Sequence, residues 1–404
     1  MEKVSMEYSS QPLNDKKTHK EISDIFKSMY PGVRGLSERS VKRFCSKHNM
    51  TSRKSQEEIN RLTASAVREV GPTYGRKMMT GYIRQKHNLN VSQKRVAKAL
   101  TIVSPANQER RRTETERLLN PVPYQADYFG HKLHIDQNEK VAMYGVTHVV
   151  AIDGHTRYVT AGTTMAIKNN FKIHENIYIK TLVTYGIPDQ LRVDCGREFY
   201  LILGMQEHLA MLRGNQAIEC YRQTESKQNL PIERFWVEVN CRVNYPLKTV
   251  LVFMENEEII DMSNDCVKFC VSFVSCLVAS YGLKIVISSW NNHPIPGRGV
   301  PSVIKTRSNG IVPLMAEVVP NGVGAKLLYM QWYPESRIVS DSVFGVDPLF
   351  NSPSLLSERM REFESRYSIS DLFGSLANET IDNFREALLY FINLTRTLQL
   401  RITL

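Results

Sequence analysis

Residues 131–165 read HKLHIDQNEKVAMYGVTHVVAIDGHTRYVTAGTTM, and at His131 the hydrophobic period changes from helical to extended. Leu133 and Ile135 alternate with His134 and Asp136, which indicates a strand with one apolar and one polar face. Residues 147–152 form a nearly continuous apolar run, as in a buried central strand, and residues 157–165 favour a third strand. The stretch therefore predicts three successive strands, with Asp136 ending the first on its polar face.

The next segment predicts a helix that crosses to a further strand. Residues 173–185 have a helical pattern that ends at Gly186, with Pro188 just beyond it as a stop signal. Residues 190–193 then read as a strand, and Asp194 lies at its carboxyl end before Gly196. Strands followed by a helix and another strand predict a mixed α/β sheet.

Towards the N-terminus the pattern is one of short helices separated by tight turns. Helical runs around residues 25–45 and 57–70 are broken by Pro31-Gly32 and Gly71-Pro72, and Ser37 or Ser40 is the expected cap before Val41. Two further helices are predicted at residues 75–85 and from Ser92 onwards. Such an array with a basic last helix is typical of tandem helix-turn-helix units, and a helical dimerisation bundle is the alternative.

Composition separates a basic arm from a neutral remainder. Residues 1–130 hold 25 Lys and Arg against 13 Asp and Glu, whereas residues 131–404 hold 27 against 28. This distribution predicts a polyanion-binding arm attached to a separate working domain. Seven scattered cysteines and a polar N-terminus without the apolar core of a signal peptide favour a reducing compartment, and we expect the nucleus.

Residues 269–283 are uncharged, but they are short for a bilayer span and contain several serines, so a buried soluble helix and no membrane partner are expected. Two amphipathic helices are predicted at residues 355–367 and 380–398. The expected organisation is a disordered N-terminus at 1–24, a helix-turn-helix region at 25–105, a linker at 106–130, a core at 131–250, its helical extension at 251–310 and an accessory region at 311–404 of unassigned role.

Three acidic residues stand out by context. Asp136 and Asp194 follow or end predicted strands, and Glu233 lies in residues 229–236, NLPIERFW, where Pro231 suits the first turn of a helix. The spacings between the three acids are 58 and 39 residues. Each acid taken alone could be an ordinary cap, turn or surface residue.

The motifs resemble, in their order, the integrase core of retroviral integrases and related transposases. The resembling blocks are HIDQNEK, VVAIDGHTRYV, GIPDQLRVDCGREF and NLPIERFW, followed by WNNHPIPGRGVP from Trp290. Two earlier blocks, GLSERSVKRFC and VGPTYGRKMMTGYIRQKHNLNVSQKRVAKAL, are similar to the helix-turn-helix region of integrase-core proteins spread by eukaryotic mobile elements. The resemblance implies a ribonuclease H-like mixed-sheet core with an N-terminal helix-turn-helix region, a C-terminal helical extension and an Asp, Asp, Glu triad.

That family transfers DNA strands with two divalent ions, so the resemblance implies Mg²⁺ or Mn²⁺ held by Asp136, Asp194 and Glu233, with Asp136 bridging. Carboxylate oxygens suit these hard ions, and two ions can activate the attacking oxygen and stabilise the leaving one. Asp153 is the rival ligand on the first hairpin, although the family more often has a structural acid there. Glu198 is expected to hold the turn after Asp194.

DNA is the expected partner, bound as element ends and target by a homo-oligomer. The candidate DNA-binding residues are Lys42, Arg43, Lys94, Arg95, Lys98, Lys227, Asn229 and Arg234. The pair Leu230-Pro231 replaces a polar pair usual in the family, and the longer interval before Glu233 predicts extra loop around residues 203–222. Two other functions remain open: a catalytically silent DNA-binding scaffold or regulator, and a nuclease that cuts without joining.

Overall fold

The computed structural model describes residues 19–47, 54–113, 124–224, 230–308, 311–336, 338 and 343–403. The chain forms two compact units, Met1–Arg61 and Leu62–Leu404. The first unit contains α1 (His19–Met29) and α2 (Glu38–Lys47), and α3 (Gln56–Val70) begins within it. Since α1 starts at His19, the prediction of disorder through residue 24 is wrong for its last six residues. The remainder of that prediction lies outside the described residues.

The first unit has a small apolar core. Ile22 and Phe26 of α1 pack with Leu36, Val41 and Cys45, all nearly inaccessible to solvent. Ser37 accepts a hydrogen bond from the backbone N–H of Ser40 at 3.3 Å, so Ser37 is the cap of α2, one of the two predicted candidates.

The second unit continues the helical arm through α4 (Arg76–His87), α5 (Gln93–Val103) and α6 (Pro105–Thr113). Helix α6 falls within the segment predicted as a linker, so that prediction is wrong there. Pro105 occupies its first position, where a missing N–H costs nothing and the fixed φ of proline favours a helix. The side chains of Arg110, Arg111 and Arg112 lie outside the described residues, as do residues 114–123.

The centre of the second unit is a five-stranded mixed sheet in the order β3-β2-β1-β4-β5. The strands are β1 (Lys132–Val141), β2 (Val146–Asp153), β3 (Val159–Met165), β4 (Gln190–Val193) and β5 (Tyr221–Gln223). The first three pair antiparallel, and β4 and β5 are parallel to β1. The four strands predicted from the sequence are present, and β5 is an addition.

Helices cover both faces of the sheet. On one face Leu133 and Ile135 pack with the helical segment α7, made of Asn170–Ile173, His174–Ile179 and Lys180–Thr184, and with α8 (Tyr200–His208). Within the extra loop expected around residues 203–222, residues 203–208 belong to α8 and residues 221–222 to β5, and residues 209–220 connect these two elements. On the other face, α9 (Leu230–Val239) continues through the π-helical turn Asn240–Asn244 into α10 (Tyr245–Asn256).

The long helix α11 (Asp265–Asn292) lies on the same face as α9 and packs against β2, β3 and α4. It is long and apolar enough to cross a membrane, and a little over half of its most apolar window, 56%, is buried within the protein. Its end is tied to the β2–β3 turn, because Asn291 exchanges two hydrogen bonds with the backbone of Val159 at 2.8 and 3.0 Å.

The C-terminal part is helical. It follows α12 (Pro301–Arg307) and begins with α13 (Gly322–Trp332), which packs against α8. The helices that cover the outer face of α11 are α14 (Pro353–Arg366), α15 (Ile369–Ala377) and α16 (Asp382–Thr403). Phe273 of α11 stacks on Phe391 of α16 with ring centroids 5.3 Å apart. Tyr281 of α11 likewise packs on α15, with its ring centroid 5.7 Å from that of Phe373, so aromatic side chains join α11 to these helices.

One buried ion pair joins this region. Arg359 donates two hydrogen bonds to the Asp347 carboxylate at 2.8 and 2.7 Å. Its guanidinium also lies 5.1 Å from the ring centroid of Phe269 and 5.0 Å from that of Phe391. Arg359 thus connects α14 to both α11 and α16.

We expect Arg359→Met to lower the free energy of unfolding by about 3–5 kcal/mol, because it leaves the Asp347 carboxylate buried without its cation. Adding Asp347→Asn to this variant should recover part of the loss. The control is Arg401→Met at the exposed Arg401–Glu358 pair, which should cost less than about 1 kcal/mol. Equal losses from both single changes, measured by urea unfolding, would contradict this account of the C-terminal packing.

Candidate functional site

The parallel pairing of β1 with β4 sets the distance between the first two acids. Their register joins Leu133 to Leu191 and His134 to Arg192. Asp136 and Asp194 each come two residues after the last of these pairs, so the same register brings them to neighbouring positions. Asp136 does not end β1 as predicted, because β1 continues to Val141 in its hairpin with β2. Asp136 lies instead in the middle of β1, level with the end of β4.

Glu233 lies in the first turn of α9. The buried residues Ile232, Phe235, Trp236 and Val239 fix this helix against β1 and β2. Glu233 is exposed beside that apolar stripe. The third acid therefore approaches the sheet from a helix, whereas the first two belong to strands.

Trp236 makes a direct contact with the candidate site. Its indole N–H donates a hydrogen bond to Oδ2 of Asp136 at 2.8 Å, and both side chains are buried. The sequence predicts Trp236 as a core residue only. The structure confirms its burial and adds a polar role, since the donor fixes one oxygen of the Asp136 carboxyl group.

The three acids influence each other electrostatically. Burial raises the pKa of the Asp136 carboxyl to about 7, Asp194 and Glu233 add to the rise, and the N–H of Trp236 opposes it. Burial also raises the pKa of Glu233, and Asp194 contributes to that shift. Carboxylates that raise one another's pKa lie close together. The three predicted acids thus converge at one place from β1, β4 and α9.

The convergence stops short of a closed metal site. Within the described ranges, no three His, Cys, Asp or Glu side chains are grouped closely enough to hold an ion. Like charges repel when no cation lies between them, so an open arrangement is expected of such a group. The donor chemistry nevertheless fits a divalent ion, because the atoms that converge are carboxylate oxygens, the ligands preferred by Mg²⁺ and Mn²⁺.

A chain of amide hydrogen bonds attaches α9 and its continuation to the sheet. Asn138, two residues after Asp136, donates to Oδ1 of Asn240 at 2.9 Å, and Asn244 donates to Oδ1 of Asn138 at 3.1 Å. Oδ1 of Asn244 accepts a hydrogen bond from Nε2 of His148 at 2.9 Å. The other ring nitrogen of His148, Nδ1, is hydrogen-bonded to the hydroxyl of Thr164 at 2.8 Å. The amides lie in or beside the π-helical turn, so they set how α9 approaches β1.

His148 is neutral in this network. Burial lowers the pKa of its imidazole to about 4, with Nε2 donating to Asn244 and Nδ1 accepting from Thr164. The network thus contains no net charge, and it links three strands to the helix that carries Glu233.

Asp153 has a structural role. Its Oδ1 accepts the N–H of Gly130 at 2.8 Å, and Oδ2 accepts from both the N–H and the hydroxyl of Thr156 at 2.7 Å. Asp153 is fully buried, and these donors close the turn after β2. The contacts favour the structural alternative over a metal-ligand role for this residue.

Two other polar residues near the site also have local partners. His134 is buried, with its Nε2 2.6 Å from the hydroxyl of Tyr124. Glu198 lies 3.5 Å from the ammonium of Lys168, and its backbone carbonyl accepts a hydrogen bond from Asn170. Glu198 therefore holds the turn after Asp194, as expected.

The candidate DNA-binding residues are spread over several elements. Lys94 and Lys98 are exposed on α5, Arg95 there is half-buried, and Arg234 is exposed next to Glu233 on α9. In the first unit Lys42 and Arg43 are exposed on α2. Lys227 and Asn229 lie outside the described residues, so their placement stays a prediction.

Comparison of the sequence with known protein families supports the predicted integrase-like core. Residues 124–309 match the family model described as integrase core domain. A search of curated proteins gives no match to the chain. Residues 124–309 are thus similar to an integrase core domain, and the mixed sheet flanked by helices confirms the expected ribonuclease H-like α/β fold. The match begins before the predicted core at residue 131 and continues through most of its helical extension.

The electrostatics of Asp136 predict a stabilising substitution. Because its pKa is about 7 in the folded chain and about 3.8 when unfolded, the folded state holds the proton more tightly. The free energy of unfolding therefore falls as pH rises from about 4 to about 7, by about 1.4 kcal/mol per pKa unit. In a chelator at pH 8, Asp136→Asn should be more stable than wild type, and the difference should vanish near pH 4.

Asp153→Asn is the matched control for that measurement. An amide NH₂ there would face N–H and O–H donors, so this change should lower stability by about 1–3 kcal/mol at both pH values. Chemical unfolding of the three proteins across this pH range measures both effects. A loss of stability in Asp136→Asn at pH 8 would show that the repulsion inferred at the site is wrong.

Proposed function

We propose that this integrase core is an active integrase or transposase that catalyses metal-dependent phosphodiester cleavage and strand transfer on DNA. The observation that carries the proposal is the convergence of Asp136, Asp194 and Glu233 from two strands and a helix, where Asp194 contributes to the raised pKa values of Asp136 and Glu233. Three carboxylates in a shared field of negative charge form a place where cations are strongly favoured.

The proposed cofactor is a pair of Mg²⁺ or Mn²⁺ ions. Asp136 would bridge them, and Asp194 and Glu233 would each complete one. Bound there, two such ions activate the attacking oxygen and stabilise the leaving oxygen of an in-line displacement. The reaction needs no covalent protein nucleophile, because the attacking group is a water or a DNA 3′-hydroxyl.

The surrounding residues have positioning roles in this proposal. Trp236 holds Oδ2 of Asp136, and Oδ1 would be the oxygen that binds the ions. The Asn138, Asn240 and Asn244 network attaches α9 to β1. Arg234, together with Lys227 and Asn229, is proposed to contact phosphates beside the reactive bond.

The basic N-terminal helices are proposed to bind double-stranded DNA through Lys42, Arg43, Lys94, Arg95 and Lys98. We also propose that the protein originates from a eukaryotic mobile element, acts as a homo-oligomer that brings two element ends together, and works in the nucleus without a membrane partner. Support for the DNA partner comes from the excess of positive charge in residues 1–130 and from the family of the core.

The alternative is a silent DNA-binding scaffold or regulator. Loss of any one acid would remove mutual repulsion from the site and so would stabilise the metal-free fold. The presence of all three acids therefore favours the active enzyme. A nuclease that cuts without joining would use the same acids, and only its products distinguish it.

A strand-transfer assay tests the proposed function. Labelled DNA carrying the element's own ends is incubated with Mg²⁺ or Mn²⁺ and with wild type or Asp194→Asn. Joined products should form with wild type, and the variant should lose them by at least about a hundredfold, because one ion loses its carboxylate. Cleaved but unjoined products would support the nuclease. Tight DNA binding by both proteins without any product would support the scaffold.

Trp236→Phe tests the positioning of Asp136 through metal binding rather than activity. Removal of the indole N–H leaves Oδ2 without its side-chain donor, and loss of such a support typically weakens metal affinity about 10–100-fold. Trp290→Phe is the matched control, because it deletes a buried indole donor that binds the carbonyl of Arg157 instead.

Calorimetric titration with Mn²⁺ makes the comparison. The affinity should fall in Trp236→Phe and stay near the wild-type value in Trp290→Phe. Equal affinities in both variants would mean that Trp236 serves only to pack α9.

A further inference from the structure

A basic groove lies beside the catalytic helix α9 in the second unit. Its volume is about 610 Å³, and its walls come from the start of α4, from α5 and α6, from α9 and from the segment after α11. Arg76 and Lys77 line it from α4, and Arg234 lines it from α9. Arg234 directly follows Glu233, so the groove borders the helix that carries the third acid. We refer to it as the arm groove.

The walls of the arm groove are fixed to one another. Arg242, which follows α9 in the π-helical turn, donates to the carbonyl of Thr73 at 3.4 Å and lies 4.6 Å from the ring centroid of Tyr74. Arg242 is also ion-paired with Glu238 on α9. The segment that leads into α4 is thereby attached to the catalytic helix, and the groove between them is preformed.

The charge of the arm groove is positive, with three cations against one acid in its described lining. The cations are Arg76, Lys77 and Arg234, and the acid, Glu238, is ion-paired with Arg242. Burial lowers the pKa of the Lys77 ammonium, the nearby Arg76 and Arg234 lower it further, and Glu238 opposes the shift. These cations therefore lie close enough to repel one another.

The position of Arg76 and Lys77 at the start of α4 is a second electrostatic cost, in addition to the repulsion between the cations. Arg76 and Lys77 occupy the first turn of α4, which contains no acid. The N-cap residue is Gly75, which has no side chain to accept a hydrogen bond from that turn. The amino end of a helix carries a partial positive charge, so cations there are unfavourable, by about 0.3–1 kcal/mol each. An anion in the groove would remove both this penalty and the repulsion across the groove.

We propose that the arm groove binds the backbone phosphates of a single DNA strand that leads to the reactive phosphodiester at the three acids. The proposal rests on the proposed DNA strand-transfer function and adds a substrate path to it. The volume of the groove lies within the range of small-ligand clefts, about 300–1,000 Å³, so the groove has room for a short segment of one strand. Apolar lining from Met78, Ile295 and Pro296 would contact the sugars and bases between phosphates.

Salt-dependent DNA binding tests the groove. The probe is a fluorescent random-sequence duplex with a single-stranded 3′ extension, bound to the full chain in a chelator so that no reaction occurs. For single strands the slope of log K against log salt changes by about 0.7 for each phosphate that the protein no longer neutralises. Lys77→Gln and Arg76→Gln should each lower the slope by that amount and weaken binding several-fold at low salt.

Two matched variants accompany them. Lys77→Arg keeps the charge and should bind as wild type does. Lys180→Gln removes an exposed lysine from α7, on the opposite face of the sheet, and should leave slope and affinity unchanged. Thermal unfolding of each variant verifies that the fold is intact, which is expected because Arg76 is exposed and Lys77 is only half-buried.

The possible results distinguish DNA binding by the groove from the proposed strand-transfer activity. If Lys77→Gln and Arg76→Gln kept the wild-type salt slope and DNA affinity, the proposed DNA binding by the groove would be wrong. It would also be wrong if Lys180→Gln lost as much slope and affinity as they do. Stronger groove-dependent binding of an RNA extension than of a DNA extension would overturn its assignment to DNA. Groove-dependent binding together with a failed strand-transfer assay would leave the groove standing and reject the reaction, whereas absence of DNA binding by wild type would overturn both.

Discussion

The carboxyl group of Asp136 stands in the middle of β1, 5% exposed, and its burial raises its pKa to about 7. A buried carboxylate without a donor is among the most costly groups that a fold can contain. The backbone N–H of Gln137 and the indole N–H of Trp236 both donate to this carboxyl group. Since Trp236 belongs to α9, the donor also determines how that helix lies on the sheet and therefore where Glu233 is placed.

The face of β1 that carries Asp136 also carries other buried polar side chains. Side chains alternate along a strand, so His134, Asp136 and Asn138 share one face while Leu133 and Ile135 enter the apolar core on the other. Each buried polar group on that face then needs a partner. Tyr124 serves His134, Trp236 serves Asp136, and the amides after α9 serve Asn138. Helix α9 thus packs on a polar strip through hydrogen bonds placed at definite positions, which makes its approach specific.

The sequence predicts the features that depend on local period. Alternation in β1, the apolar run of β2 and the proline near the start of α9 each follow from residues close together in the chain. The predicted end of β1 is wrong, because the strand is prolonged by its pairing with β2 and not by its own pattern. Strand β5 has only three residues, too few for a period to show, and it forms because Leu191 and Val193 of β4 offer a free edge.

Contacts between distant elements account for what the sequence could not show at the site. The bond between Trp236 and Asp136 joins residues 100 positions apart, and the amide network joins residues more than 100 positions apart. A tryptophan at a helical apolar position is most simply a core residue, and nothing in its local sequence indicates which acceptor its N–H finds. The placement of the three acids could be anticipated only because their motifs occur in the order of a known core.

The acids of the site and the cations of the arm groove have opposite charges and the same energetic consequence. At neutral pH the acids repel one another and the groove cations repel one another, so each cluster destabilises the free protein. In the proposed function, each cluster is relieved by the ligand that it attracts, because phosphates carry negative charge into the groove and metal ions carry positive charge to the acids. A DNA strand bound along the groove would bring its phosphodiester to the acids, where the metal ions would accept it. The two sources of strain are adjacent, at Glu233 and Arg234, so substrate and metal binding should reinforce each other there.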